Sequence, residues 1–371
     1  MAENMIRAHI FTNVPAITFF KQSPGFSRDL NGVRFSHGLH VPEDTDVLLV
    51  YTRASYSIPT RLPQARTVFF AGEPDVIHAY NPKFLNQFGM VRTASTIELT
   101  TEKHWGNMCL APFVGLNLDN IEATLPLSWF ADLPCPSDKD DKISIVTSTK
   151  AHTQFHRERL DFIEILKQRI PEHITLYGSG HKPISDKKDV LLPSKYHLAL
   201  ENGGGPFAWT EKLADPLLCW SLPFYFGADN IHEDLPRDCI VPINLNDPDT
   251  AIERMIRAIK QDLWKTRRDT IGQARDLVMT QHNIINVFTD LAHRAMVKAP
   301  TVDPKARKRL IRSERSFLPQ KGGRGGIRQM LLRRGLTAID PNIELRVARL
   351  QSKLKARRDA RQQHKRTQNN S

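Results

Sequence analysis

The sequence predicts an α/β protein of two domains, the second Rossmann-like, followed by a basic helical C-terminal tail, and three observations carry that prediction. A chain of 371 residues exceeds one typical domain and suits two, each able to bury its own core. Strand-length apolar runs bounded by Pro, Gly, Asn or Asp recur through the first third, and further on such runs alternate with amphipathic helices, the pattern of a parallel sheet covered by crossover helices. The basic residues gather at one end: residues 301–371 hold 20 Lys or Arg against 5 Asp or Glu, whereas residues 1–300 hold 32 against 35.

The elements follow in order. In a first domain, 1–124, "IRAHIFTN", "TDVLLVYT", "ARTVFFAG" and "FGMVRTAS" read as buried strands. "LPLSWFADLPCPSDKDDK", 125–142, is dense in Pro and Asp without an apolar period and is expected to be the interdomain linker. The second domain, 143–300, opens with the strand "ISIVTST". A helix from Phe155 to Ile170 carries Leu160, Ile163, Leu166 and Ile170 on one face, and the strands "HITLYGSG" and "YHLALEN" follow. A helix from Thr210 to Trp220, the strands "LPFYFGA" and "CIVPINL", a helix over 247–263 and a last helix, "NIINVFTDLAHRAMV", complete the domain. In the tail, 301–371, "QKGGRGGIRQ" reads as a flexible hinge. Beyond it Ile343, Val347, Leu350 and Leu354 fall at a narrow a/d spacing among arginines. That segment is either a solvated charged helix or short coiled-coil arm, or a basic amphipathic surface for anionic lipid.

Composition narrows the function. A chain 40% hydrophobic and 25% charged is globular, and no apolar run approaches the roughly 18 to 20 residues of a membrane span. "MAENMIRAHIFTNV" lacks a basic leader and apolar core, so a cytoplasmic protein is expected. Four cysteines, Cys109, Cys135, Cys219 and Cys239, lack C-x-x-C spacing and are expected as free thiols. The net charge of +12 resides in the tail, so the body offers no basic groove and no specific nucleic-acid partner is expected. Without a G-x-G-x-x-G fingerprint, no nicotinamide or flavin cofactor is expected.

The segment "ENGGGPFAWTEKL", 201–213, admits two readings. It is a strand end, a glycine turn and an ordinary Thr-Glu-Lys helix cap, or it is a loop whose donors, carboxylate and ammonium converge on a phosphorylated ligand. Its surroundings, "KYHLALENGGGPFAWTEKLADPLLCWSLPFYFGADNIHEDLP", resemble the donor-binding half of the family ten glycosyltransferases, the α-1,3/α-1,4-fucosyltransferases, especially bacterial members. The match rests on Glu201-Asn202, Thr210-Glu211-Lys212 and Pro223 through Gly227, with the ten-residue step from Asn202 to Lys212. Upstream, "SIVTSTKAHTQFHRERLDFIEIL" is similar to the family's strand, polar loop and arginine-bearing helix, so the resemblance spans about Ile143 to Leu245. Two positions depart from it: Ala208 stands where an aromatic is common, and Gly203 replaces a Ser or Thr.

The resemblance implies a GT-B enzyme, with two Rossmann-like domains facing across a cleft, that moves fucose from GDP-fucose to a glycan hydroxyl with inversion. The acceptor would be an oligosaccharide or lipid-linked glycan of a bacterial surface polysaccharide or lipopolysaccharide. A leaving diphosphate demands fixed positive charge, and Arg159 and Lys212 match the family's basic positions, Arg157 standing in if the register shifts. Asn202 and Glu211 would hydrogen-bond ribose or fucose hydroxyls, and Glu201 is read as a structural acid. The piece "TVFFAGEPDVI" resembles the family's strand-Gly-Glu stretch and makes Glu73 the catalytic base, ahead of Asp75 and then His78. No cluster has metal-ligand spacing; Asp247-Pro-Asp249 begins a helix as a cap, and no bound metal is expected. The basic tail would hold the protein at the inner membrane face. The alternatives are a GT-B transferase using another GDP-sugar, or a non-catalytic scaffold binding polyanions or membrane through the tail.

Overall fold

In the computed structural model two parallel sheets form the framework, and the structure describes residues 5–108, 111–149, 154–297, 302–303, 305–317, 324–347 and 350. The first sheet contains β1 (Ile6–Phe11), β2 (Asp29–Leu30), β3 (Val33–His37), β4 (Val47–Tyr51), β6 (Thr67–Phe70), β7 (Met90–Thr93) and β8 (Glu102–Trp105). Their order is β2-β3-β1-β4-β6-β7-β8, parallel throughout except where β2 meets β3. The short β5 (Ile58–Thr60) lies outside it. The second sheet, β9 (Asp140–Thr147), β10 (Ile174–Gly178), β11 (Ser194–Leu200), β12 (Leu222–Phe226) and β13 (Val241–Pro242), runs β10-β9-β11-β12-β13 and is wholly parallel. Residues 47–51 and 194–200 are buried at every position, as strands covered on both faces must be, which is why they read as short apolar runs.

Three apolar cores follow from this layering. One lies around the second sheet; the other two cover opposite faces of the first. One of those faces is covered by the helix Ile284–Val297, whose Phe288 meets Tyr51 and Phe70 edge-on at ring separations of 6.0 and 5.4 Å. The chain therefore returns to its first domain, and the expected second domain of 143–300 ends before this helix. An apolar helical stripe announces burial but not the sheet that buries it.

The expected linker is packed rather than free. Residues Leu127–Asp132 form a helix with Phe130 in the core around the second sheet, and Lys139 donates to Leu191 O, Ser194 O and Cys219 O before β9 begins.

The expected tail is corrected more deeply. Arg309–Ile311 forms β14, antiparallel to β5, and Ile311 is fully buried in the core beneath the first sheet. Glu344 accepts from Ser57 N at 2.7 Å and Ser57 Oγ at 2.8 Å, and pairs with Arg333 at 3.1 Å. The helix Arg324–Ile339 absorbs the second half of the expected hinge. Of the a/d residues, Val347 and Leu350 are exposed, and Leu354 lies outside the described residues. Cys219 and Cys239 are buried free thiols and Cys135 an exposed one, while Cys109 lies outside the described residues.

Candidate functional site

From β9 the chain first visits β10 on one side and then returns to β11 on the other, so a crevice opens where the two crossovers part. In doubly wound sheets ligands occupy this switch point, outside the carboxyl ends of the strands. Here those ends are Thr147 and Leu200, and a cavity of about 570 Å³ opens beside them. Arg159, Asn202, Glu211 and Lys212 line it from the second domain, and Glu73 lines it from the first, so the structure brings all five sequence-predicted residues to one cavity.

Arg159 arrives there by helical period. The helix Gln154–Arg169 buries Ile163 and Leu166, and Arg159 shares their face one turn earlier. It is 9% exposed, donates through Nη1 to Asn202 Oδ1 at 2.9 Å, and its Nε has no partner among the described residues. Burial pushes its pKa down, and no carboxylate among the described residues pairs with it to offset that. A buried guanidinium with an unmet donor is suited to an anion. Arg157 is exposed instead and does not line the cavity.

The Thr-Glu-Lys triplet builds both a cap and a charge cluster. Thr210 is the N-cap of the helix Glu211–Leu218, its hydroxyl accepting from Lys212 N at 3.2 Å. Glu201, 2% exposed, accepts from Thr210 N and from Thr210 Oγ1, both at 2.7 Å, and so ties the strand end to the helix start. Lys212 Nζ sits 3.1 Å from Glu211 Oε1 and 3.8 Å from Glu201 Oε2. Burial lifts the Glu201 carboxyl to about 7 against the pull of Lys212. Burial also opposes charge on Glu211, but Lys212 and Lys187 bring its pKa below the usual carboxylate value. Burial disfavours the ammonium of Lys212 as well, yet Glu211 and Glu201 hold it raised. Gly227 is required by closeness: a Cβ there would lie 2.2 Å from Tyr225 Oη and 2.6 Å from Glu201 Cγ.

Across the cleft, Glu73 follows β6, is partly buried, and has its pKa raised by burial, against the opposing charges of Arg53, His78 and Lys212. Both alternatives to it are engaged elsewhere. Asp75 is exposed and accepts from Ser95 Oγ, while His78 pairs with Glu314. The two domains touch at Gly203, where a Cβ would fall 2.5 Å from Val76 Cγ2, so the residue that departs from the family pattern makes room for the facing loop. Ala208 borders a small side cavity shared by Glu73, Glu201 and Asn202. Its aromatic neighbours turn away, Trp209 donating to Asp234 Oδ2 at 2.7 Å and Phe207 lying 6.3 Å from the Trp105 ring.

Sequence reasoning missed Lys187 and Asp215. Lys187 lines the cavity and pairs at 2.7 Å with Asp215, which is 1% exposed and also accepts from Phe113 N and Val114 N of the segment joining the domains. An acid on the buried face of an apolar helix is a signal for Asp215; "SDKKDV" offers none for Lys187. Asp247 caps its helix through Thr250 N and Asp249 pairs with Arg169, away from the cavity. Among the described residues no three His, Cys, Asp or Glu are grouped to hold a metal.

Two facing α/β domains, with a cavity at the switch point of the second, define the GT-B class of protein. No family model matches the chain. Over 138 residues it is 30% identical to GDP-fucose protein O-fucosyltransferase 3 of Danio rerio, a stretch covering 32% of this chain and 30% of that one. The chain thus matches under a third of the length of this curated relative. Among solved structures, an α1,3-fucosyltransferase with GDP-fucose superposes at a TM-score of 0.49 and 16% identity, covering 81% of this chain and 93% of the other. The trehalose-6-phosphate synthase OtsA gives 0.44 and 9%, covering 70% and 73%.

Proposed function

We propose that this protein is an inverting glycosyltransferase that moves fucose from GDP-fucose to an acceptor hydroxyl. The observation that carries the reading is the buried Arg159, paired with no carboxylate among the described residues, beside Lys212 at the switch point and facing Glu73 across the cleft. Arg159 and Lys212 meet the charge that develops on the departing diphosphate, in a partly desolvated site where fixed charge counts most. Asn202 and Glu211 hold sugar hydroxyls. Glu73 takes the proton of the acceptor hydroxyl as its oxygen forms the bond to the anomeric carbon and the bond to the diphosphate breaks on the opposite face. The GDP-fucose donor is supported by the sequence likeness to the Danio rerio protein.

A glycan of a bacterial surface polysaccharide or lipopolysaccharide is the acceptor in this reading. A hydroxyl of a protein is the second, favoured by the name of the same relative. No helix among the described residues is long and apolar enough to cross a membrane. Contact with the inner membrane face is proposed through the exposed Leu331, Leu332, Leu336 and Ile339 and the basic residues that follow.

Calorimetric titration with GDP, GDP-fucose, GDP-mannose and UDP-galactose tests the donor. Binding of GDP and GDP-fucose, weakened at least about tenfold in Lys212→Ala and Arg159→Ala, is the expected result. Absence of nucleotide binding at millimolar concentration refutes the reading, and equal binding of GDP-mannose moves it to another GDP-sugar.

A further inference from the structure

The loop bearing Glu73 is held from outside its own sheet. After Glu73, Ile77 N and His78 N both donate to Pro74 O at 2.9 Å, which closes a short turn. His78 Nε2 then lies 2.5 Å from Glu314 Oε1. Glu314 is 5% exposed and belongs to the single turn Glu314–Ser316 that follows β14. Its own N–H donates to Ala54 O at 3.0 Å, so one residue grips the loop after β4 and the loop after β6 together.

Neighbouring contacts stiffen the grip. Asn81 Nδ2 donates to Phe317 O at 3.1 Å, Tyr80 Oη to Thr52 O at 2.8 Å, and Arg334 Nε to Ser316 O at 3.0 Å. The two loops also fit closely against each other. Thr52 adopts φ +64°, and a Cβ on Gly72, the residue before Glu73, would lie 2.4 Å from Thr52 Oγ1.

We propose that Glu314 is a positioning residue for Glu73: through His78, the segment 309–317 fixes the turn that aims the base at the acceptor hydroxyl. The inference rests on the transferase reading above. A proton acceptor must stand within hydrogen-bond reach of its donor, and a misplacement of about 1 Å costs up to about 100-fold in rate. The C-terminal segment is then part of the acceptor half of the enzyme, in addition to any role at a surface.

The test uses the full-length protein and the variants Glu314→Ala, Glu314→Gln, His78→Ala and the double Glu314→Ala/His78→Ala, with kcat for fucosyl transfer and Kd for GDP measured on each. The expected result is a fall in kcat of about tenfold in either alanine variant and no further fall in the double. Glu314→Gln recovers most of the rate, because its amide oxygen still accepts from the imidazole. GDP affinity stays within about twofold, since the nucleotide site is in the other domain. Should Glu314→Ala fail to fold, His78→Ala removes the same contact from its more exposed side. Wild-type kcat in the folded variants, losses that multiply in the double, or GDP affinity that falls with kcat would each overturn the inference. A wild type that binds no GDP overturns the donor reading and this inference with it. Transfer by the wild type, lost in Glu73→Gln and unimpaired in His78→Ala, overturns the inference alone.

Discussion

Glu201→Gln probes how the strand end and the helix start are joined. In the wild type, burial raises this carboxyl from 4.5 to about 7, with Lys212 pulling the other way. An acid in this state holds its proton more tightly in the folded chain than in the unfolded one. Its contribution to stability is therefore fully present below about pH 4.5 and is lost as the pH rises through about 7. That interval, at about 1.4 kcal/mol per pH unit, corresponds to about 3 kcal/mol. Glutamine keeps the shape and does not titrate. Its oxygen accepts from Thr210 N, and its amide turns to Thr210 Oγ1, which becomes the acceptor. The stability of the wild type relative to the variant should fall by about 3 kcal/mol between about pH 4.5 and 8. Urea denaturation followed by circular dichroism, at a series of pH values on both proteins, measures it. A difference that stays flat over that range refutes the reasoning. So does a wild type that gains on the variant as pH rises, the behaviour of an ordinary salt-bridged carboxylate.

Two further outcomes are expected. Glu73→Gln should lower kcat by about 100-fold or more while leaving GDP affinity intact, and because burial raises the wild-type Glu73 pKa, the acid limb of its kcat/KM profile should lie above the ordinary carboxylate range; steady-state kinetics against pH checks both. Ile311→Ala should cost about 2–5 kcal/mol in urea denaturation, because it empties a fully buried place in the core beneath the first sheet.

Much of the framework was legible because completely buried parallel strands leave short apolar runs, and "VLLVY" is one, as is "YHLAL", interrupted only by the buried His197. The cavity residues were legible through the family resemblance. Asn202, Thr210, Glu211 and Lys212 lie close in sequence, so the turn and cap that unite them are local, whereas Arg159 and Glu73 were picked out by their likeness to the family's positions. The closing of the two domains over Gly203 and the pairing of Lys187 with Asp215 are long-range events with no local pattern. The C-terminal segment was misread for a definite reason. A run of cations reads as a solvated face, yet Arg309 donates to Leu62 O and Thr67 Oγ1, and Arg333 is matched by Glu344. Arg309 thus acts as a hydrogen-bond donor that fastens a three-residue strand, too short to rise above the charge around it.

The return of the helix Ile284–Val297 to the first sheet has a consequence for how the protein is made. The ribosome releases the strands of that sheet within the first hundred or so residues, but the helix that covers one face and Ile311 beneath the other emerge almost two hundred residues later. Through most of synthesis the amino-terminal half waits with apolar strands uncovered, while the second domain, continuous in the chain, can complete itself first. Chaperone dependence and aggregation of truncated chains should therefore track residues 284–311 rather than the strands of the first sheet.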